Sequence, residues 1–144
     1  MIPLMFKLNK ILLVNTVRAK FPNVKLIYLF GSFASGEQHT GSDLDIAILP
    51  IKALDNLTRW QIAQELACEL DIDVDLIDLN TASTVLCQQV ITTGKRLWGS
   101  RTDDDYFAVK TMSMYQHLQE ERSMILDDLA KTSSDNESKD HVHE

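Results

Sequence analysis

LFGSFASGEQHTGSDLDIAIL, residues 29–49, is the stretch on which the fold turns. Gly31-Ser32 follows one apolar run, and ten residues later Asp43-Leu44-Asp45 opens another. The run that leads in, VKLIYLF (24–30), is short, β-branched and aromatic, the composition of a buried strand. The run that leads out, SDLDIAIL (42–49), reads as a second strand stopped by Pro50. Side chains alternate across a strand, so Asp43 and Asp45 share one face and Leu44, Ile46 and Ile48 take the opposite, core face.

Outward from this pair the pattern alternates between helix and strand. Leu4, Leu8, Ile11, Val14, Val17 and Phe21 recur at steps of three and four, which predicts a helix over 4–20 ended by Pro22-Asn23. LTRWQIAQELACEL (57–70) predicts a second helix. Thr58 and Gln61 have capping-box spacing there, and Trp60, Ala63, Leu66 and Leu70 form an apolar stripe. DIDVDLIDL (71–79) is a strand with strict alternation: Ile72, Val74 and Leu76 point one way, Asp73, Asp75 and Ile77 the other. A helix ended by Gly94 follows, then KRLW (95–98) as a short edge strand. A long helix over 103–130 has Thr102 as N-cap and Asp103, Asp104 and Asp105 in its first turn, where negative charge is favoured. Tyr106, Val109, Met112, Tyr115, Leu118, Arg122, Ile125 and Leu129 lie along one side of it. At 1.5 Å per residue this helix spans about 42 Å, more than so small a domain covers, and the excess is available to a partner. The polar segment 131–144 has no packing pattern and is expected to be a disordered tail. The reading is one domain over 1–130 of α/β class (α+β type): a small mixed sheet with packed helices and a long C-terminal helix.

Composition narrows the function. The chain has 144 residues, enough for one domain. No apolar run approaches the roughly 18 residues of a membrane span. The N-terminal stretch carries Lys7 and Lys10 and reads as structure rather than signal peptide, so a cytoplasmic location is expected. Cys68 and Cys87 are far apart, with no Cys-x-x-Cys spacing, and read as small core residues rather than zinc ligands. A net charge of −7 argues against a direct nucleic-acid surface, which needs clustered Lys and Arg.

The chemistry sits in the opening stretch. Two adjacent carboxylates raise each other's pKa unless a cation lies between them. A hard divalent ion such as Mg²⁺ prefers oxygen ligands and meets that need. A strand that runs into Gly31-Ser32 and then a helical turn leaves backbone N–H groups facing a phosphate, and the Ser32 hydroxyl adds a donor. Together these are the two halves of a metal–nucleotide site. Two-metal phosphoryl chemistry calls for a third carboxylate. The third strand offers Asp73 and Asp75 on one face and Asp78 on the other, and spacing alone does not choose between Asp73 and Asp75.

GSFASGEQHTGSDLD resembles the Gly-Ser, ten residues, Asp-x-Asp signature of the nucleotidyltransferase superfamily related to DNA polymerase β. The small size and the VDLID strand are similar to the minimal nucleotidyltransferases (MNT), antitoxin partners of HEPN-domain ribonuclease toxins. The likeness covers roughly residues 5–125. It implies a nucleotidyltransferase fold, Gly31 and Ser32 on the nucleotide phosphates, and Asp43 and Asp45 as Mg²⁺ ligands. The family's "VDL" pattern falls on Val74-Asp75-Leu76, which makes Asp75 the third catalytic and metal-binding carboxylate. Two Mg²⁺ ions, ATP as AMP donor and a tyrosine of a HEPN toxin as acceptor follow from the same likeness. Family members often carry Ala-Arg-Gly after the Gly-Ser, whereas this chain has Ala34-Ser35-Gly36, which leaves the arginine's task to another cation. The competing readings are an antitoxin that masks its toxin without catalysis and a small-molecule nucleotidyltransferase.

Overall fold

The computed structural model describes residues 2–38 and 41–142, with side chains over 10–38 and 41–133. Helix α1 (Ile2–Lys20) leads into strand β1 (Leu26–Phe30) and the one-turn helix α2 (Ser32–Ser35). Then come β2 (Leu44–Leu49), α3 (Asn56–Leu70), β3 (Val74–Asp78), α4 (Thr84–Thr93), β4 (Lys95–Trp98) and α5 (Arg101–Val142). The sheet order is β3-β2-β1-β4. β1 is antiparallel to both β2 and β4, while β2 and β3 are parallel. A parallel pair cannot be joined by a hairpin, and α3 makes the crossover. The expected mixed sheet is therefore present, with KRLW on its edge. Leu4 and Leu8 lie outside the described side chains.

Alternation sends each strand's residues to two cores, so the central strands are apolar on both faces. On one face Ile27, Leu29, Leu44, Ile46, Ile48 and Leu76 pack with Leu13 and Val17 of α1 and Ala63, Leu66 and Leu70 of α3. On the other, Leu26, Tyr28 and Ala47 pack with Cys87 and Val90 of α4 and Phe107 of α5. Lys20 joins α1 to α3 through Glu65 at 2.6 Å. Among the described residues no helix is long and apolar enough to cross a membrane.

The helix ends and faces differ from the sequence reading in four places. Asp55, not Thr58, caps α3, its carboxylate accepting the Thr58 N–H at 2.7 Å. Trp60 is 60% exposed, because Ala63, Leu66 and Leu70 already fill the space over the sheet. Ser100, not Thr102, caps α5, its hydroxyl accepting the Asp103 N–H at 3.0 Å. The buried face of α5 carries Phe107 and Thr111, while Tyr106, Val109 and Met112 are exposed. The reason lies one turn earlier: the Tyr28 hydroxyl donates to Asp104, which Arg96 also meets at 3.4 Å, and this turns the Asp104 side of the helix inward.

Of the two cysteines, Cys87 is buried as expected and Cys68 is exposed. The helix also runs on to Val142, where the sequence reading ended it near Ala130 before a disordered tail. From residue 101 to 142 the chain has neither proline nor glycine, and extending an existing helix needs no new nucleus. The described side chains from Gln116 to Ser133 are all exposed, so this length packs on nothing in the domain.

Candidate active site

The sheet's topology brings the motif residues to one corner. β1 and β2 are antiparallel, so the end of β1 lies beside the start of β2, with Phe30 paired to Asp45. β2 and β3 are parallel, so their starts align, with Asp45 paired to Asp75. Asp45 and Asp75 thus sit side by side on adjacent strands, about 4.8 Å apart along the hydrogen-bonding direction. Both belong to the face that Ala47 and Ile77 share with α4. α4 runs from the end of β3 towards β4, where a Cβ on the following Gly94 would meet the Leu29 carbonyl.

Gly31 closes the corner from the β1 side. Its φ of 73° and ψ of −153° lie in a region open essentially to glycine alone. A Cβ there would stand 2.1 Å from Asp45 Oδ2 and 3.0 Å from its Cγ. The Gly-Ser turn therefore presses against the Asp45 carboxylate, with no room for a side chain. Ser32 begins the α2 turn, in which the Gly31 carbonyl accepts the Ala34 and Ser35 N–H groups at 3.1 and 3.2 Å. Gly36, also at positive φ (80°), ends the turn.

Burial, then the neighbouring charges of Asp75 and Asp43, push the Asp45 carboxyl above its ordinary value. Asp43 and Asp75 are exposed and Asp45 is half-buried. Among the described residues no group of three His, Cys, Asp or Glu side chains is gathered closely enough to hold a metal ion as it stands. The donors nonetheless suit a hard divalent cation. They are oxygen only, they repel one another across a strand pair, and the innermost is destabilised in its charged form, which a cation would reverse.

The other strand acids stand apart. Asp73 lines an open cleft with Phe33, Ser42, Gln64 and Cys68 at the α3 side of the strand entrance. It is not among the charges acting on Asp45. In the strand register Asp75, and not Asp73, pairs with Asp45. Asp78 is 1% exposed and its carboxylate is used internally, accepting the Leu54 N–H at 2.8 Å and the Asn80 N–H at 2.9 Å. Sequence reading put Asp78 on the other face but missed these partners, because Leu54 lies 24 residues away. Ser35, at the position where an arginine is frequent, is exposed and bonds only within its own turn, to the Ser32 carbonyl at 3.3 Å.

Comparison with known proteins yields a consistent set of relatives. A family model described as Polymerase beta, Nucleotidyltransferase matches residues 13–103. Protein adenylyltransferase MntA of Shewanella oneidensis is 58% identical over 125 residues, covering 87% of this chain and 90% of that protein. A crystal structure of a toxin–antitoxin with AMP-PNP superimposes at a TM-score of 0.77 and 60% identity, covering 84% of this chain and 96% of the matched one. A structure of the tri-AMPylated Shewanella oneidensis HEPN toxin in complex with MNT antitoxin superimposes at 0.74 and 54% identity, covering 85% and 97%.

Proposed function

The chain belongs to the polymerase β-type nucleotidyltransferase family, and on that premise we propose that it is a protein adenylyltransferase acting as an antitoxin. It transfers AMP from ATP to a tyrosine of a cognate HEPN ribonuclease toxin and so silences it. The observation that carries this reading is the corner where Asp45 pairs with Asp75 and leaves no space for a Cβ at Gly31. The relatives whose structures this chain resembles act in toxin–antitoxin pairs, which supports the choice of acceptor.

In this reading the Ser32 hydroxyl and the first turn of α2 hold the phosphates of ATP. Asp43, Asp45 and Asp75 would hold Mg²⁺, two ions in the full set. The metal, when bound, supplies positive charge against the phosphate oxygens as the reaction proceeds. The tyrosine oxygen attacks the α-phosphorus in line, the bond to the bridging oxygen breaks, and pyrophosphate leaves with the electron pair. Asp75 is the more exposed of the strand pair, and in this reading it accepts the tyrosine proton. AMP on the toxin adds bulk and negative charge beside the ribonuclease site.

A second reading, neutralisation by binding alone, is favoured by the exposed apolar residues of α5, among them Val109, Met112, Ile125 and Leu129. The acidic balance, −7, suits a protein partner rather than nucleic acid, and a cytoplasmic site of action fits both readings.

The test is to mix the purified protein with ATP, Mg²⁺ and its candidate HEPN toxin and to weigh the toxin by intact mass spectrometry. Adenylylation adds mass in AMP steps and is lost in an Asp43→Asn/Asp45→Asn variant that stays folded. An unmodified toxin held in a tight, ribonuclease-silent complex would overturn the catalytic reading in favour of masking.

A further inference from the structure

The strand that supplies Asp75 is repetitive in a way that leaves its own register open. In DIDVDLID (71–78), acid and apolar residues alternate three times, from Asp71 to Leu76, before Ile77 shifts the next acid, Asp78, to the core face. A slip of one residue against β2 would turn every apolar side chain out of the α3 core and is excluded by burial. A slip of two is different. It keeps Ile72, Val74 and Leu76 on the core face and sets Asp73, instead of Asp75, opposite Asp45. The hydrophobic pattern does not distinguish the two arrangements.

A polar clamp at the far ends of β2 and β3 does. Asp78, 1% exposed, accepts the N–H of Leu54 from the chain that leaves β2. It also accepts the N–H of Asn80 at 2.9 Å. Asn80 in turn donates through Nδ2 to the Pro50 carbonyl at 2.9 Å, and the Leu79 N–H reaches the Ile48 carbonyl at 2.9 Å. The Thr81 hydroxyl bonds the Asp78 carbonyl at 3.3 Å. The bonds of Asp78 to Leu54, Asn80 to Pro50 and Leu79 to Ile48 cross from β3 to β2 and the chain that leaves it, and they belong to the register in which Ile48 pairs with Asp78, and therefore Asp45 with Asp75; those of Asp78 to Asn80 and Thr81 are local to the end of β3. In the two-residue slip Asp78 moves past Ile48 and its buried carboxylate loses the Leu54 N–H, while Asn80 loses the Pro50 carbonyl, and a buried polar group left without its partner is costly. At the near end, Asp71 in the left-handed conformation (φ 55°) ends α3 and limits the chain available to slip.

We propose that Asp78 and Asn80 are positioning residues of the active site: their clamp fixes the β2–β3 register and so selects Asp75 as the third carboxylate. They touch neither nucleotide nor acceptor and act only through Asp75. The proposal rests on the assignment of Asp75 in the preceding section.

The test uses the full-length protein as Asn80→Ala and Asp78→Asn. Three properties are read: Mn²⁺ affinity from the EPR signal of the free ion, the cross-strand methyl contact between Ile46 and Leu76 by NMR, and the thermal midpoint. Cys87→Ala, in the opposite core, is the control for lost stability alone. Residues that orient metal ligands typically change affinity by about 10- to 100-fold, and a loss in that range is expected, together with a weakened Ile46–Leu76 contact and a new Ile46–Val74 one. The control loses thermal stability and keeps both readouts. Should Asp78→Asn fail to fold, Asn80→Ala decides alone, since Asn80 is exposed. Mn²⁺ affinity within twofold of the parent, or a loss of affinity with the Ile46–Leu76 contact intact, overturns the clamp. An Asp75→Asn variant that binds Mn²⁺ like the parent would instead overturn the assignment of Asp75, and the NMR contact would still report on the clamp.

Discussion

Replacing Gly31 by alanine puts a methyl carbon 2.1 Å from Asp45 Oδ2 and 3.3 Å from Asp45 Cβ. Two costs follow. The backbone at φ 73°, ψ −153° lies where residues other than glycine are strained by about 1–3 kcal/mol. The Asp45 carboxylate must also rotate away, because its oxygen occupies the space of the new methyl. Gly31 is exposed, so no core packing is lost and these are the principal terms. At about 3 °C per kcal/mol for a domain of this size, the thermal midpoint falls by about 3–10 °C. Transfer suffers more than stability, since misplacing a reactive group by about 1 Å can cost about 100-fold. Both quantities are accessible, the first by thermal unfolding and the second by the rate of AMP addition to the toxin. A double-mutant cycle with Asp45→Ala isolates the clash: the midpoint lost by Gly31→Ala should be smaller once the carboxylate is gone. A Gly31→Ala protein with transfer within twofold of the parent and a midpoint within about 1 °C would refute the reasoning that the turn and the carboxylate share one tightly filled corner.

Two further outcomes are expected. Burial, and next the hydrogen bond to Asp104, hold the Tyr28 hydroxyl well above the ordinary tyrosine pKa of 10.0, so the unfolded chain loses this proton first. Stability from this group is therefore intact below about pH 10 and declines as pH rises beyond it, by at most about 1.4 kcal/mol per pH unit, and Tyr28→Phe should flatten that alkaline limb in thermal melts at graded pH. Deleting residues 131–144 should leave the domain's thermal midpoint within about 1 °C, because the described side chains of α5 beyond Tyr115 are exposed; a fall of more than about 5 °C would show that the distal helix packs on the domain.

What could be read in advance, and what could not, follows from the range of the interactions involved. Strand alternation and helix spacing are local, so the element order and the mixed sheet were accessible from residues a few positions apart, although β2 begins at Leu44 and leaves Asp43, read as part of the strand, just before it. The apolar face of α5 was not. Tyr106, Val109 and Met112 have the same helical spacing as Phe107 and Thr111, and both sets are plausible core. The choice is made by Asp104, which bonds Tyr28 at a sequence separation of 76 and turns its own side of the helix inward. The same holds for the cap of α3, where Asp55 and Thr58 both fit an N-terminal pattern and only the course of the preceding loop decides between them.

Asp75 shows the limit most sharply. Periodicity delivers a face, not a position along it, and a strand written as acid–apolar–acid–apolar carries several equivalent positions. The family likeness favoured Asp75 by its flanking residues, and in the strand register Asp75 stands opposite Asp45. What holds that register is polar and long-range: Asp78 on Leu54, Asn80 on Pro50. The proposed clamp couples Asp78, which periodicity sets on the core face, to Asp75 on the opposite one. On the proposed clamp, one acid of β3, turned inward and bonded to Leu54 and Asn80, fixes which of the others meets Asp45.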